Sequence, residues 1–114
     1  MSLDQMLKAL MDLGLTNTDA EVYIFLATKA PQKANDIAEA LRMNKQRLYP
    51  SLKNLQNKGI VNCIGEYPNL FSAVPIEEAL SSFINAHLDE AQSMEENRQK
   101  ILAYWQEIVK KSNP

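Results

Sequence analysis

The stretch "MNKQRLYPSLKNLQNKGIV", residues 43–61, combines a basic amphipathic pattern with a proline in its middle. Leu48, Leu52 and Leu55 follow one another by four and three residues, which is the spacing of one helix face. A proline inside a helix removes a backbone hydrogen bond and clashes with the preceding turn, at a cost of about 3 kcal/mol. Because the leucine stripe keeps its phase across Pro50, we predict one bowed or kinked helix. The alternative is a shorter helix that begins at Pro50, where proline is favoured at the first helical position.

The residues before this helix predict a helix-turn-helix. Asn44 is a good N-cap for it, and residues 36–41 predict another short helix with Asn35 as a possible cap. Only "RMN", residues 42–44, connects the two. Two short helices joined by a tight turn, with the charge on the second one, have helix-turn-helix spacing.

Two further helices precede this unit. The first has apolar residues at helical spacing and ends near Gly14, which suits the position after a helix C-terminus. Thr16 can cap the second helix, with Asp19 three residues on in a capping-box arrangement. Residues 20–27 are apolar nearly all round, so this helix is expected at the centre of a small core, and Pro31 marks its end.

A β-hairpin follows the basic helix, which ends at Gly59. Residues 60–64 and 70–74 favour strands, and "GEYPN" between them is made of turn residues. We expect Cys63 to be a small buried hydrophobe and Tyr67 to pack against the hairpin. Helices, a helix-turn-helix and then a hairpin follow in the order of a winged helix.

A long helix without glycine or proline is predicted from residue 76 to residue 111. Nine residues in it alternate steps of four and three, and seven of the nine are apolar, which is a coiled-coil seam. A helix of about 35 residues is about 50 Å long, too long to bury that stripe against so small a domain. We therefore predict a homodimer through Leu80, Ile84, His87, Ala91, Met94, Arg98, Ile101, Trp105 and Ile108.

The fold class predicted is thus mainly α with a small β-hairpin wing: a winged helix-turn-helix domain, residues 1–74, followed by a dimerisation helix, residues 75–114. On the seam, Trp105 is expected to anchor one end of the dimer. Arg98 either fixes the register through a facing Glu or reaches out to solvent. If the two His87 side chains face each other, their protonation near pH 6 would weaken the dimer, as a hypothesis.

Composition and motifs argue against an enzyme. The chain has 114 residues, one His and one Cys, and it lacks phosphate-binding glycine loops, H-E-x-x-H and G-x-S-x-G. We therefore expect no catalysis, no cofactor and no metal site. There is no secretory signal or membrane-spanning apolar run, and the single Cys63 excludes an intramolecular disulfide, so a cytoplasmic location is expected.

The net charge of −2 conceals a strong asymmetry. Residues 31–60 carry six bases and two acids, a net charge of +4, whereas residues 1–30, 61–74 and 75–114 have net charges of −2, −1 and −3. A basic patch on an acidic chain indicates a polyanion bound at one place. Recognition helices enter the major groove by their N-terminal residues, and Arg, Lys, Gln and Asn match base edges. For the predicted recognition helix, about residues 44–58, the DNA-binding candidates are Lys33, Arg42, Asn44, Lys45, Gln46, Arg47, Tyr49, Pro50 and Lys53.

With these elements placed, the sequence resembles the N-terminal DNA-binding domain of the TrmB family, largely archaeal transcriptional regulators. The matching stretches are "LGLTNTDAEVYIFL" (13–26), "ANDIAEALRMNKQRLYPSLKNLQNKGIV" (34–61) and "FSAVPIEEAL" (71–80). The resemblance implies a winged helix-turn-helix, dimerisation through the following helix and operator binding. "LYPSL" is also similar to the recognition helix of PadR-like regulators, where a proline after tyrosine is familiar.

Two features depart from the family pattern. Sugar-responsive members carry a large C-terminal effector domain, whereas this chain stops after the long helix, so sugar sensing is not expected and an effector stays open. The wing offers Glu66 and no base, so a strong contact between wing and phosphate is not expected. The preferred interpretation is a homodimeric regulator on double-stranded DNA. The alternative is a winged helix that binds proteins within a transcription or chromatin assembly.

Overall fold

The computed structural model describes residues 2–112; residues 1, 113 and 114, the outer ends of the two expected domains, lie outside the described residues. The order of elements confirms a mainly α fold with a two-stranded wing and a long last helix. The elements are α1 (Leu3–Asp12), α2 (Asn17–Ala27), α3 (Ala34–Leu41), α4 (Lys45–Asn57), β1 (Val61–Ile64), β2 (Leu70–Ala73) and α5 (Ile76–Ser112). No helix among the described residues has both the length and the apolarity needed to cross a bilayer.

Side-chain caps set the starts of two helices as expected. The Thr16 hydroxyl accepts a hydrogen bond from the Asp19 amide at 3.0 Å, which confirms the predicted capping box. Asn44 caps α4 in the same way. The expectation that Asn35 caps α3 is wrong, because α3 already begins at Ala34, after Lys33 in the N-cap position. Starting there lets the apolar stripe of α3 include Ala34, which packs against the core.

Helix α2 is central, as its nearly uniform apolarity predicted. Ala20, Val22, Tyr23 and Leu26 are buried, and α2 packs against α1, α3, α4 and β2. The Tyr23 hydroxyl donates a hydrogen bond to the carbonyl of Val74 at 2.6 Å. Burial, and secondarily the negative charge of nearby Glu77, raise the pKa of Tyr23 above its ordinary value.

Helix α4 runs unbroken through Pro50, so the alternative of a shorter helix starting at the proline is wrong. Leu48, Leu52 and Leu55 are at most 2% exposed, so the first turns of α4 are held by the core on both sides of the proline. Pro50 itself is exposed. Water can therefore reach the carbonyl that lacks its usual helical partner, which reduces the cost of the proline.

The wing is a short antiparallel hairpin that the core covers at Val61 and at Phe71. Val61 is buried, but the rest of β1 is exposed toward the tip. The expectations for Cys63 and Tyr67 are therefore wrong: Cys63 is exposed and Tyr67 is 98% exposed, because the core covers Phe71 of β2 but neither the tip nor the part of β1 beyond Val61. The backbone of Gln32 pairs with Phe71 on the other edge of β2 and ties the segment before α3 to the wing.

The chain divides into two compact units, the first ending at Phe83 and the second beginning at Ile84. The boundary expected between residues 74 and 75 falls just before α5, whereas the first unit includes the first turns of α5. The physical reason is that Ala79 and Phe83 are buried in the core of the first unit. In the second unit, every residue from 84 to 112 is exposed.

Candidate nucleic-acid interface

Helix α4 has a buried inner face and an exposed outer face. The inner face consists of Leu48, Ser51, Leu52 and Leu55. All nine side chains proposed from the sequence to meet DNA are exposed: Lys33, Arg42, Asn44, Lys45, Gln46, Arg47, Tyr49, Pro50 and Lys53. The core therefore orients α4 so that its basic and amide side chains point to solvent.

The structure brings most, but not all, of these residues together. Arg42 is the left-handed residue of the turn before α4, with φ of 53°, so it adjoins the start of that helix. Lys33 lies at the opposite end of α3, a helix of eight residues, or about 12 Å along its axis. Lys33 is thus set apart from the group that begins α4.

The candidate side chains around the start of α4 differ in whether they already bond to other groups of the chain. The Asn44 Oδ1 accepts a hydrogen bond from the Arg47 amide at 2.8 Å, so this oxygen serves as the helix cap. Lys45, Gln46 and Lys53 make no side-chain hydrogen bond or ion pair with residues 2–112. These three side chains are free to bind a partner.

Arg47 is instead held by α2. Its Nε donates a hydrogen bond to the Thr18 hydroxyl at 2.9 Å, and its guanidinium lies 3.9 Å from the Glu21 carboxylate. Glu21 also accepts a hydrogen bond from the Asn17 amide at 3.1 Å. Arg47, the one arginine of α4 and of a residue type suited to guanine, is therefore already paired within its own domain.

A buried polar cluster that the sequence interpretation missed fixes α4 on α2. The Asp19 carboxylate is 3% exposed and accepts hydrogen bonds from the Ser51 hydroxyl at 2.6 Å and the Asn54 amide at 2.7 Å. Ser51 and Asn54 therefore face α2. The sequence spacing could have predicted this orientation of Ser51, because Ser51 follows Leu48 by three residues and so lies on the leucine side of α4.

The wing is poor in positive charge. Its tip, residues 65–69, carries Glu66 as its one charged side chain, and Tyr67 there is almost fully exposed. Ile64 at the end of β1 is 49% exposed. This tip offers apolar surface and one acid, so it does not present the point charges that bind phosphates.

The residues proposed for the dimer seam lie along α5 and are exposed throughout: Leu80, Ile84, His87, Ala91, Met94, Arg98, Ile101, Trp105 and Ile108. Two of them contact acids of their own helix. The Arg98 guanidinium lies 3.3 Å from Glu95, and His87 Nδ1 lies 3.8 Å from Glu90. The described residues of this chain leave the apolar members of the seam uncovered.

Comparison with protein families gives a match, over residues 10–77, to the family described as "Sugar-specific transcriptional regulator TrmB". An uncharacterized protein of Methanocaldococcus jannaschii is 31% identical over 71 residues, 57% of this chain and 54% of that protein. The HTH-type sugar sensing transcriptional regulator TrmBL1 of Pyrococcus furiosus is 30% identical over 77 residues, 68% of this chain and 23% of that protein. The chain thus spans about half the length of the first relative and about a quarter of the second.

Among solved structures, that of TrmBL2, described as an archaeal chromatin protein with a novel mode of DNA binding, is similar over 99% of this chain and 44% of its own. The TM-score is 0.81 at 21% sequence identity. This likeness shows a shared winged-helix fold.

Proposed function

Because the chain belongs to the family of the sugar-specific transcriptional regulator TrmB, we propose that it is a sequence-specific regulator that binds double-stranded DNA as a homodimer. Helix α4 is the recognition helix and enters the major groove. A regulator of this kind acts at the chromosome, in the cytoplasm of an archaeal cell. No step of this function needs catalysis.

One observation carries the proposal: α4 exposes its polar first turn while its opposite face is fixed in the core. Leu48, Leu52 and Leu55 anchor the helix from below. Lys45 and Gln46 then stand at its N-terminal end, which is the part of a recognition helix that reaches base edges. Arg42 in the preceding turn and Lys53 two turns later add positive charge for the flanking phosphates.

The homodimer explains the exposed seam of α5. Isolated apolar residues on a surface are ordinary, but a continuous stripe over a long helix marks an interaction site. Two copies would supply two recognition helices for half-sites about one helical turn, or about 34 Å, apart. A pseudo-palindromic operator is therefore expected.

Duplex binding at graded salt tests the proposal. Selection from random duplexes identifies the operator, and fluorescence anisotropy then measures its affinity from low to physiological salt. A DNA binder releases counterions, so its logarithmic affinity falls linearly with the logarithm of salt concentration. Lys45→Ala should weaken binding about tenfold, whereas Lys100→Ala, a matched change on α5, should leave it unchanged. Absence of duplex binding at low salt would overturn the proposal.

The second candidate is a winged helix that binds a protein within a transcription or chromatin assembly. The exposed Ile64 and Tyr67 on a wing without a base favour it. The same titration separates the two functions, because a protein-binding module shows no steep salt dependence toward duplex DNA.

A further inference from the structure

The second unit of the chain exposes a continuous row of large apolar side chains, which is typical of a helix that packs against a partner. Between residues 84 and 112, large side chains 40–70% exposed recur on one side of α5: Ile84, Leu88, Met94, Ile101, Leu102, Tyr104, Trp105, Ile108 and Val109. Four of them, Leu88, Leu102, Tyr104 and Val109, lie beside the seam proposed from the sequence. The seam and its flanks together form the apolar surface that α5 offers to a partner.

Heptad positions follow from the alternating steps of three and four. With Ile84 at position a, the seam residues from Ile84 to Ile108 fall at positions a and d, and Ser112 is the next residue at position a. Position e then holds Leu88, Glu95, Leu102 and Val109, and position g holds Glu90, Asn97, Tyr104 and Lys111. These flanking positions decide which orientation a partner helix takes.

Charge divides this helix into two opposite halves. Residues 84–96 carry four acids and no Lys or Arg, a net charge of −4. Residues 97–112 carry four bases and one acid, a net charge of +3. Two copies side by side in the same direction would place the acidic halves together, whereas opposite directions would place each acidic half against a basic half.

We propose that α5 pairs with α5 of a second copy in an antiparallel coiled coil, centred between Gln99 and Lys100. This inference rests on the homodimer of the proposed function and adds its orientation and register. In this register the residue numbers of facing seam positions sum to 199. The small Ala91 then faces Ile108 of the second copy, and Met94 faces Trp105 of the second copy.

Two of the four distinct flanking pairs in the same register are complementary. In antiparallel pairs the g positions of the two helices lie on the same side, so Glu90 meets Lys111 of the second copy, twice by symmetry. On the other flank, Leu88 meets Val109 of the second copy, which covers two of the apolar residues outside the seam. Arg98, drawn to Glu95 of its own helix, keeps its charge at the edge of the interface.

The parallel alternative instead brings like charges together. A parallel pair brings position g against position e of the next heptad, and Glu90 would then face Glu95 of the second copy. Sliding the antiparallel pair by one heptad toward the N-terminus places Glu95 against Glu95. Like charges at facing positions destabilise both arrangements.

A charge exchange separates the two orientations by the sign of its effect. In the antiparallel register, Glu90→Lys replaces two attractions by two repulsions and should raise the dimer dissociation constant about tenfold at low salt. Lys111→Glu should do the same, and the double variant should restore the original value. In a parallel pair Glu90→Lys would instead tighten the dimer, because it removes repulsion from Glu95. Sedimentation equilibrium measures all three variants, with Glu96→Lys, outside the flanks, as the matched control.

Cross-linking supplies a readout that does not depend on stability. In a Cys63→Ser background, a mixture of Glu90→Cys and Lys111→Cys chains should form a disulfide-linked heterodimer under mild oxidation. Glu90→Cys alone should not link to itself, because the two sites are separated by about 31 Å along the axis. Self-linking of Met94→Cys, which faces itself only in a parallel pair, or absence of the 90–111 link in a proven dimer, would overturn the register.

The same samples distinguish failure of this inference from failure of the proposed function. If the dimer binds the selected operator but cross-links through Met94→Cys, the proposed regulator function stands and the antiparallel pairing is wrong. If the chain stays monomeric at about 100 µM, both the antiparallel pairing and the proposed homodimer are wrong.

Discussion

The hydroxyl of Ser51 lies 2.6 Å from the carboxylate of Asp19 and joins α4 to the N-terminal turn of α2 across 32 residues of sequence. Asn54 adds a second bond to the same carboxylate. The recognition helix is thus fixed in two ways, by leucines that bury one side and by polar bonds that set its rotation. Both act on the surface that we propose for DNA.

Asp19→Ala should lower the free energy of unfolding by about 2–3 kcal/mol, because it leaves the buried Ser51 hydroxyl and the half-buried Asn54 amide without their acceptor. Urea denaturation monitored by circular dichroism measures this. Ser51→Ala should cost about 1–2 kcal/mol, and the double variant should cost less than the sum of the two. Ser93→Ala, at an exposed helical serine, is the control. Additive effects of Asp19 and Ser51 would show that their bond contributes nothing to stability.

Pro50→Ala should raise the free energy of unfolding by about 1 kcal/mol, because it restores a helical hydrogen bond at an exposed position. The gain stays below the full interior cost because alanine also frees the unfolded chain. Operator affinity should fall or the selected operator should change, since the proline ring lies on the proposed DNA surface. Thermal unfolding and anisotropy measure the two effects. Higher stability with unchanged operator affinity would show that Pro50 does not contribute to DNA binding.

Glu21→Gln should tighten operator binding about two- to fivefold, because it removes a negative charge beside the DNA surface and loosens the hold on Arg47. If the released guanidinium reaches a phosphate, the salt dependence should steepen by about one unit of slope. Anisotropy at several salt concentrations gives both quantities, with Glu96→Gln on α5 as the control. Unchanged affinity would mean that Arg47 stays on α2 when DNA is bound.

Tyr23→Phe should cost about 1 kcal/mol, because it removes the buried hydrogen bond to Val74. The wild-type chain should also lose stability as the pH rises above about 10. The pKa of Tyr23 is raised in the folded state, so the unfolded chain loses the Tyr23 proton at a lower pH than the folded chain does. Rising pH therefore stabilises the unfolded state relative to the folded state. The stability difference between wild type and Tyr23→Phe should therefore shrink above that pH, as urea denaturation at several pH values would measure. A constant difference would contradict this, and Tyr104→Phe on exposed α5 is the control.

Trp105→Ala should weaken the homodimer at least tenfold, because a large aromatic residue in a seam dominates the association energy. Sedimentation equilibrium measures the change. Gln106→Ala, the next residue and outside the seam, should leave the dissociation constant unaltered. Equal effects of the two substitutions would place the interface elsewhere.

Periodicity and capping patterns predicted most of the fold because they are local. The leucine stripe predicted that α4 continues through Pro50, and the spacing of Thr16 and Asp19 predicted their capping box. The same reasoning failed for Cys63 and Tyr67, since β-rich composition predicts a strand but not how far a small core extends along it. It also misplaced the start of α3.

The sequence by itself determined the order of elements, the exposed basic face of α4 and the apolar stripe of α5, because each follows from spacing within one segment. Only the tertiary structure decided that Asp19 bonds Ser51 and that Arg47 is held by Thr18 and Glu21. These pairs join α2 to α4 across about thirty residues of sequence. Which polar side chains are buried against a neighbouring helix, and which are left for a partner, depends on how the two helices pack.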